Sequence, residues 1–539
     1  MEFQPNTTIK LCNVPFDNSY KHQYIFSSPQ KQLNYFNSRE KWTFTDYLTV
    51  REKQPDGSVL SYIRVDEDIE TLRYWGCNYV FYQNGTGKRI FAFITNMVYI
   101  NEGMTKLFIE TDVWQTYCFD LEIMSSFVVR QHSETDEIGD NVVPEQFKYS
   151  DYTYHFLSDE NLGEWGYLVG ASEKYFNSST LGKQHCGIYQ GVVLYYFTDP
   201  LILDTFIQDI TTSNGDCILF VTLIPKFCLG NATITNVYKE AVGQGEIGAT
   251  ASHRETPITI DFSARAFTFD GYVPKNNKLW TSPFANVVVS NGSGQDMILN
   301  REDFSDPNNI GFFMCGDISA SPSIILFPNR YKQVNGDGAG FNFHRLPLGG
   351  FPQCATTTDT YKMWLARNSV GIVTDTLANV GSIALGAATL GAGGAYSVAH
   401  GVTGIMNTIN SVYQASFNAN ETKLGKGENN LITAMKRNKF SFFYRLVKRD
   451  FAESVDNFFT MYGYAVNKMQ VPNLCARPYY TYVETIDVNV RGIVPTGEFV
   501  EATIPTDDLK RFKDIFNNGV TMWKENTAMY DYDVDNSPD

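Results

Sequence analysis

The stretch from Ser369 to Asn420 limits what this chain can fold into more than any other part of it. It carries one formal charge, Asp375, and consists largely of Gly, Ala, Ser, Thr, Val, Ile and Leu, as in Ser382-Ile383-Ala384-Leu385-Gly386-Ala387-Ala388. Its centre, Gly391-Ala392-Gly393-Gly394, is a natural breaker, because neighbouring glycines have little reason to hold a helix. On either side lies an arm of about twenty residues, enough as a helix to cover the roughly 30 Å hydrocarbon layer of a bilayer. The pattern predicts a helical hairpin, or a flexible loop able to become one, with its tip at the glycines. Thr374, Asp375, Asn379, Asn407 and Asn410 argue against a permanent transmembrane pair, and glycine and alanine add little transfer energy. Two readings fit: a hairpin buried in a water-soluble core, or a conditional segment that is hidden in one state and inserted in lipid in another. Ala384, Ala388 and Ala392 would permit close helix approach in either setting. On the second reading the membrane-active positions are Val370, Ile372, Val373, Leu377, Ile383, Leu385, Leu390, Val398, Val402, Ile405 and Ile409, with Gly391, Gly393 and Gly394 at the turn.

The rest of the chain is of another kind. At 539 residues it has room for more than one domain and a large core. Its 39 Phe and 32 Tyr favour strands, so a mainly β fold is expected. The net charge of −16 argues against a tight nucleic-acid binder, since phosphate affinity comes from clustered Lys and Arg. It is compatible with a surface that nucleic acid slides past. Nine cysteines, an odd number with no C-x-x-C pair, suggest neither a disulfide framework nor a zinc site. Met1-Glu2-Phe3-Gln4-Pro5 lacks a basic head and an apolar run, so assembly in a cytoplasm is expected.

Along the first part, Tyr79–Asn84 and Arg89–Ile94 are short aromatic runs joined by Gly85-Thr86-Gly87, which is hairpin spacing. Glu134–Pro144 reads as a boundary. In the middle part, Gly191–Phe197 and Cys217–Leu223 are candidate buried strands, and Ile258–Phe262 alternates like a half-exposed one. Asn335–Gly340 reads as a turn, Leu348–Pro352 as a second boundary and Lys423–Asn430 as a hinge. Phe440–Leu446 should be a strand. A helix follows from about Lys448, with Phe451, Val455, Phe458, Phe459 and Tyr462 on one face and Gly463 at its end. Ile486, Val488 and Val490 alternate as on a strand, and Thr506 would cap a last helix with Leu509, Phe512 and Phe516 inward and Gly519 as its stop.

Several segments together resemble one family. They are Val14–Lys21 with Tyr35–Ser38, Phe108–Thr116 with Phe119-Asp120 and Ser126–Arg130, and Phe458–Tyr464 with Asn467 and Pro472-Asn473. Tyr482-Val483 and Ile515–Trp523 complete the set. The likeness is to the tail knob, or distal tail tube, proteins of small short-tailed bacteriophages of the phi-29-like type. It covers about the first 130 and last 100 residues; the middle third gives no alignment.

The resemblance implies a hexameric β-rich tube at the tip of a virion tail, assembled in the host bacterial cytoplasm. Its apolar loops would plug the lumen and later enter the host membrane. Residues 1–132 and 431–539 would form the tube domain, 133–365 a β-rich insertion and 366–430 the loop. The expected fold is then mainly β with a few helices, in tube or barrel domains, plus the apolar hairpin. Expected partners are further copies, other tail proteins (a lower collar or connector, appendages or receptor-binding proteins, a tail lysin), the host membrane, and passing double-stranded DNA without sequence preference. Six copies at −16 each give −96, which suits a wall that repels phosphate.

No enzyme or cofactor is expected. Gly87-Lys88 is followed by Arg89, so the phosphate-loop pattern fails, and no H-E-x-x-H occurs. His185 and Cys186 are adjacent and would point apart on an extended chain. Asp66, Glu67, Asp68 and Glu70 invite a glycosidase reading, but such enzymes need two carboxyls across a cleft. The short basic clusters Lys436-Arg437 with Lys439, and Lys448-Arg449, are expected to meet acidic neighbours or to flank the apolar loop rather than to bind DNA specifically. The alternatives are a receptor-binding or polysaccharide-cleaving tail protein, and a tube whose loop is only a plug.

Overall fold

Alternating aromatic and β-branched residues make strands, nearly all paired antiparallel, the commonest element among the described residues. The computed structural model describes residues 7–47, 49–53, 59–84, 88–147, 151–172, 192–211, 217–230, 232–248, 254–263, 265–292, 296–316, 318, 322–332, 344–349, 351, 439–492 and 504–538. The fold is mainly β with a few helices. It divides into two units: residues 1–151, 268–280 and 448–539 in the first, and 152–267 and 281–447 in the second.

The first unit holds a seven-stranded antiparallel sheet in the order Glu40–Thr45, Thr7–Cys12, Tyr79–Asn84, Arg89–Asn101, Met104–Thr111, Val59–Val65, Thr49–Lys53. The antiparallel pair expected on either side of Gly85-Thr86-Gly87 is present, with Gln83 opposite Arg89; the three residues of the turn lie outside the described residues. A five-stranded sheet runs His22–Ile25, Val520–Lys524, Tyr480–Ile486, Ser126–Gln131, Tyr464–Gln470. Its first pair is parallel, so the two ends of the chain share one sheet. One aromatic core gathers Phe16, Phe36, Tyr79, Phe93, Trp114, Phe512, Phe516 and Trp523.

Buried polar groups hold this unit in register. Asp112 caps the short helix Val113–Tyr117: its Oδ1 accepts from the amides of Trp114 (3.0 Å) and Gln115 (3.1 Å), and its Oδ2 from the Tyr79 hydroxyl (2.8 Å). Burial pushes this carboxyl up to about 7 against the pull of those donors. His132 is fixed as one neutral tautomer. Its Nδ1 accepts from the Tyr482 amide at 2.8 Å, so its Nε2 carries the proton and donates to the Thr460 carbonyl at 3.0 Å. Burial lowers its pKa to about 3. Asp456, on the helix Arg449–Tyr462, has no exposed surface. It accepts from the Tyr272 hydroxyl (2.6 Å), the amides of Lys275 (2.7 Å) and Asn276 (3.1 Å), and Asn276 Nδ2 (2.8 Å). Lys278, also buried, donates to Glu145 at 2.8 Å, and Glu145 pairs with Arg130 as well. The segment Thr268–Trp280 is thus clipped onto this unit by charge-assisted hydrogen bonds.

Several expectations need correction here. The helix after Lys448 turns Val455 and Phe459 inward as expected, yet its buried face also includes Ala452 and Asp456, while Phe458 is only half-buried. Ile486, Val488 and Val490 do not share one strand. Asp487 takes φ 50°, which ends the strand at Ile486, leaves Ile486 exposed and buries Val488. Thr506 begins the helix Thr506–Asn517 rather than capping it; Pro505 stands at the cap, with no side-chain hydrogen bond. Gly519, φ 81°, closes that helix as expected, and a Cβ there would meet the Tyr482 hydroxyl. Gly463 is likewise required, since a Cβ would collide with the backbone of Gln131.

Among the described residues the second unit has three sheets. One runs Ile218–Pro225, Trp165–Ala171, Val193–Phe197, Gly245–Ile247, Ile234–Val237. The two strands expected to be buried here do not touch; each pairs with Trp165–Ala171 between them. The helix Pro200–Thr211 lays Phe206 against Tyr195 (4.6 Å) and Phe197 (4.8 Å). Another sheet runs Tyr152–Asn161, Lys439–Val447, Ala285–Ser290, Asp296–Leu299, and the third Arg254–Asp261, Asn309–Gly316, Ser323–Asn329, Leu346–Gly349. Leu348 and Gly349, read from sequence as the start of the boundary Leu348–Pro352, are therefore the end of an edge strand, Leu346–Gly349. Lys439–Val447, assigned with the C-terminal block, pairs in the second unit.

Two measurements check this account. Asp456→Ala removes the side-chain acceptor of the Tyr272 hydroxyl and of the Lys275 and Asn276 amides, so it should lower stability by roughly 3 kcal/mol and make 268–280 the first site of limited proteolysis. Asp112 and His132 act in opposite senses. The raised Asp112 pKa contributes stability that is full below about 4 and lost as pH rises through about 7. The lowered His132 pKa contributes stability that is full above about 6.5 and lost as pH falls toward 3. Asp112→Asn keeps the cap acceptor and removes only the first effect. Its melting temperature should fall more steeply than wild type between pH 6.5 and 4; parallel curves would contradict the assignment.

Candidate functional site at the base of the apolar stretch

The apolar positions from Val370 to Ile409, the glycine centre, and the hinge Lys423–Asn430 lie outside the described residues. So do the turn Asn335–Gly340, His185, Cys186, Cys354, Lys436 and Arg437. The structure shows where the stretch is rooted: Phe351 before it and Lys439 after it, both in the second unit.

The two roots lie at one end of a pair of packed sheets. Register places Asn161 opposite Lys439 and Ser290 opposite Ser441. Asn291, next to Ser290, donates from Nδ2 to the Pro347 carbonyl at 2.8 Å, two residues before Gly349. Phe351 is buried, and its ring meets that of Trp165 edge-on at 5.3 Å, four residues past Asn161. The sheets are joined behind this end by aromatic rings. Phe312 packs on Phe442 at 5.0 Å, and Phe262 and Phe267 each pack on Tyr444 at 5.0 Å. Arg301 lies 4.6 Å over the Phe262 ring and is held by the Pro307 carbonyl (2.7 Å) and Asn308 (2.8 Å). Burial pushes the Tyr444 hydroxyl up to about 12, with Arg301 pulling the other way.

Lys439 is tied down at the point where the chain returns. Its ammonium pairs with Asp159, whose other oxygen accepts from the Ser441 hydroxyl at 2.6 Å. Burial pushes the Asp159 carboxyl up, but the Lys439 and Ser441 donors outweigh it and hold it below its usual value. Lys448 and Arg449 also meet acids, Asp151 at 2.8 Å and Glu453 at 3.8 Å. Sequence reading flagged these cations but missed Asp159, Asn291, Trp165 and Arg301. The partners of Asp159, Asn291 and Trp165 lie far away in the chain, and the ring that Arg301 covers, Phe262, belongs to another strand's end, so no local pattern marks them.

The carboxylates that invited a glycosidase reading have structural tasks. Asp68 caps the helix Ile69–Tyr74, Glu67 accepts from the Trp42 indole at 2.9 Å, and Asp66 from the Tyr47 hydroxyl at 2.7 Å. Among the described residues no group of three or more His, Cys, Asp and Glu could hold a metal ion, and no helix is long and apolar enough to cross a membrane.

The depressed Asp159 pKa gives a testable sign. Its contribution is full above the ordinary carboxylate pKa, about 3.9, and is lost only as pH falls through the lower folded value. Amide exchange of Lys439–Val447, corrected for intrinsic rate, should be equally slow at pH 7 and pH 5. Loss of protection at pH 5 would show that the root opens in mild acid.

Comparisons with known proteins extend the likeness beyond the two ends of the chain. The family described as the C-terminal domain of the Bacillus phage phi29 tail knob protein gp9 matches residues 250–537. The family described as the caudoviral major tail protein N-terminus matches residues 5–122. The tail knob protein gp9 of Bacillus phage PZA is 23% identical, over 95% of this chain and 95% of that protein. That of Bacillus phage phi29 is 22% identical over 98% and 97%. The solved structure of the tail knob protein gp12 of bacteriophage C1 superposes with a TM-score of 0.59 at 16% identity, covering 96% of this chain and 97% of that one. The middle region, outside the segments that carried the resemblance, is therefore included in the likeness.

Proposed function

The chain belongs to the family of the phi29 tail knob protein C-terminal domain and is a structural component of a phage tail, and from that premise we propose that it forms the distal tube through which the genome leaves. Six copies would close into a ring of heterologous contacts with no free edge. DNA would pass along an acidic wall without sequence-specific binding. Before infection the apolar stretches would fill the lumen; afterwards they would leave it, insert in the host membrane and open a passage.

The observation that carries this reading is the stretch itself. It has one formal charge between Ser369 and Asn420, while the chain as a whole is 19% charged. The roots on either side support it: Phe351 and Lys439 leave from one end of a well-packed sheet pair, a firm base for a segment that changes surroundings. Asp375 and the asparagines would face a water-filled pore or one another, as intramembrane polar groups do.

The test uses purified full-length protein, liposomes with trapped dye, and imaging of the ring. Deleting residues 370–420 should leave the ring folded and abolish leakage. Leu385→Asp with Ile405→Asp should do the same, since each charge costs about 3 kcal/mol at the bilayer centre. A variant that leaks like wild type, or a wild type that never leaks under any trigger, would reduce the stretch to a plug.

A further inference from the structure

The strand Lys439–Val447, where the chain comes back from the apolar stretch, belongs to a four-stranded sheet with two unlike faces. Phe440, Phe442, Tyr444 and Leu446 have no exposed surface and form its inner face. The alternate residues point to the other side. There the register aligns Phe156, Phe443, Val288 and Ile298 in one row across all four strands. Phe156 is 57% exposed and Ile298 48%, and the Phe156 ring meets that of Phe443 edge-on at 5.9 Å. One row further from the root, Tyr154 is 59% exposed and stands opposite Arg445, which stands opposite Asn286. Exposed rings two residues apart on one strand share a face, so the two rows make one patch rather than scattered side chains.

Arg445 is the one formal charge in these two rows. Its guanidinium lies 4.2 Å over the Tyr152 ring and makes a single hydrogen bond among the described residues, from Nη2 to Asn286 Oδ1 at 2.7 Å. Its Nε is shut off from solvent and has no acceptor among the described residues. A guanidinium has five donors, and no described carboxylate answers this one. The row nearer the root differs. It carries Asp159, already paired with Lys439, and Asp296, exposed at the far edge. An anion coming onto this face is therefore repelled at the root end and attracted two rows on.

We propose that this face is the resting seat of the chain's own apolar stretch, with Asp375 against Arg445. This rests on the reading above only in taking the stretch as a segment that changes surroundings. Position, reach and charge select this occupant over another molecule. The chain enters this sheet at Lys439, six residues before Arg445 on the same strand, about 20 Å away. Asp375 follows Phe351 by 24 residues, about 36 Å if helical, so the reach is ample. A tethered segment meets its site at an effective concentration that a free molecule would have to match in solution. The charges correspond as well: the stretch has one, negative, and the patch has one, positive and unanswered. Apolar surface around the pair would strengthen it, since less water is left to screen it. Leaving the seat then means giving up one ion pair and the contacts with Tyr154, Phe156 and Ile298.

The test is a photocrosslink in the full-length protein with no membrane present. Benzoylphenylalanine replacing Phe156, and in a second variant Ile298, should each crosslink to a peptide from residues 369–420. Mixing chains of two isotopic compositions tells the chain's own stretch from another copy's. Asp375→Arg and Arg445→Asp should each lower the yield about threefold or more, and the two together should restore it. Asp375→Arg leaves the described sheet untouched, so its effect stands even if Arg445→Asp fails to fold. Crosslinks to other segments or to another copy's stretch, single charge variants with wild-type yield, or a double exchange without rescue overturn the seat and leave the tube and membrane reading standing. A protein that crosslinks as expected and never leaks dye from liposomes overturns the membrane reading and supports the seat.

Discussion

One pairing makes the first unit possible: His22–Ile25 lies parallel to Val520–Lys524. A parallel pair cannot be closed by a tight turn, so the chain between must return to where it started. Here nearly the whole sequence is that return path. The pairing is secured by burial rather than by length. Trp523 and Met522 have no exposed surface, Gln23 is equally buried, and the Tyr24 hydroxyl reaches the Thr527 carbonyl at 3.1 Å. The C-terminal segment then ties itself down. The Asn536 side chain accepts from the amides of Tyr479 and Tyr480 and donates to the Tyr480 carbonyl at 2.9 Å, as a neighbouring strand would.

With the ends fixed, interior polar groups decide the detail. A buried carboxylate without partners would cost more than any single packing contact returns. Asp112, Asp456 and Glu145 each accept several donors, and each joins segments distant in sequence: Tyr79 to the helix at Val113, Thr268–Trp280 to the helix at Arg449, and Arg130 to Lys278. These contacts are directional, so they select one register where an aromatic core alone would tolerate several.

This explains what could be read from the sequence. Strand runs such as Phe440–Leu446 and the Tyr79–Asn84 hairpin declare themselves through alternation and turn residues, both local signals. The inward faces of Val455, Phe459, Phe512 and Phe516 follow from helical spacing. Asp456 could not be found that way, because its reason for burial is Asn276, 180 residues away. The break at Asp487 was equally hidden, since Ile486, Val488 and Val490 keep the alternation while the backbone turns. At the candidate site the cation Lys439 was visible and its partner Asp159 was not. The segments that resembled the phage family fared well because several carry such fixed points, among them Asp112 and Gly519.

The apolar stretch obeys different rules, and its composition bears on whether it can change surroundings. In the first arm, Val370, Ile372, Val373, Leu377, Ile383, Leu385 and Leu390 each gain roughly 0.5 kcal/mol on entering lipid, about 3.5 in all, against about 3 for Asp375. Gain and cost nearly cancel, so such an arm is committed neither to water nor to lipid. The second arm offers Val398, Val402, Ile405 and Ile409 against Asn407 and Asn410, a similar near-balance. A stronger apolar run would insert or aggregate during assembly, and a more polar one would never leave water. On the proposed reading, near-balance would let a modest change, such as neutralising Asp375 or meeting another copy's polar groups in a pore, decide the outcome. The root at Asp159 and Lys439 has the opposite character, with its charges paired and its rings buried. On the proposed reading, the contrast confines any movement to residues beyond Phe351 and before Lys439.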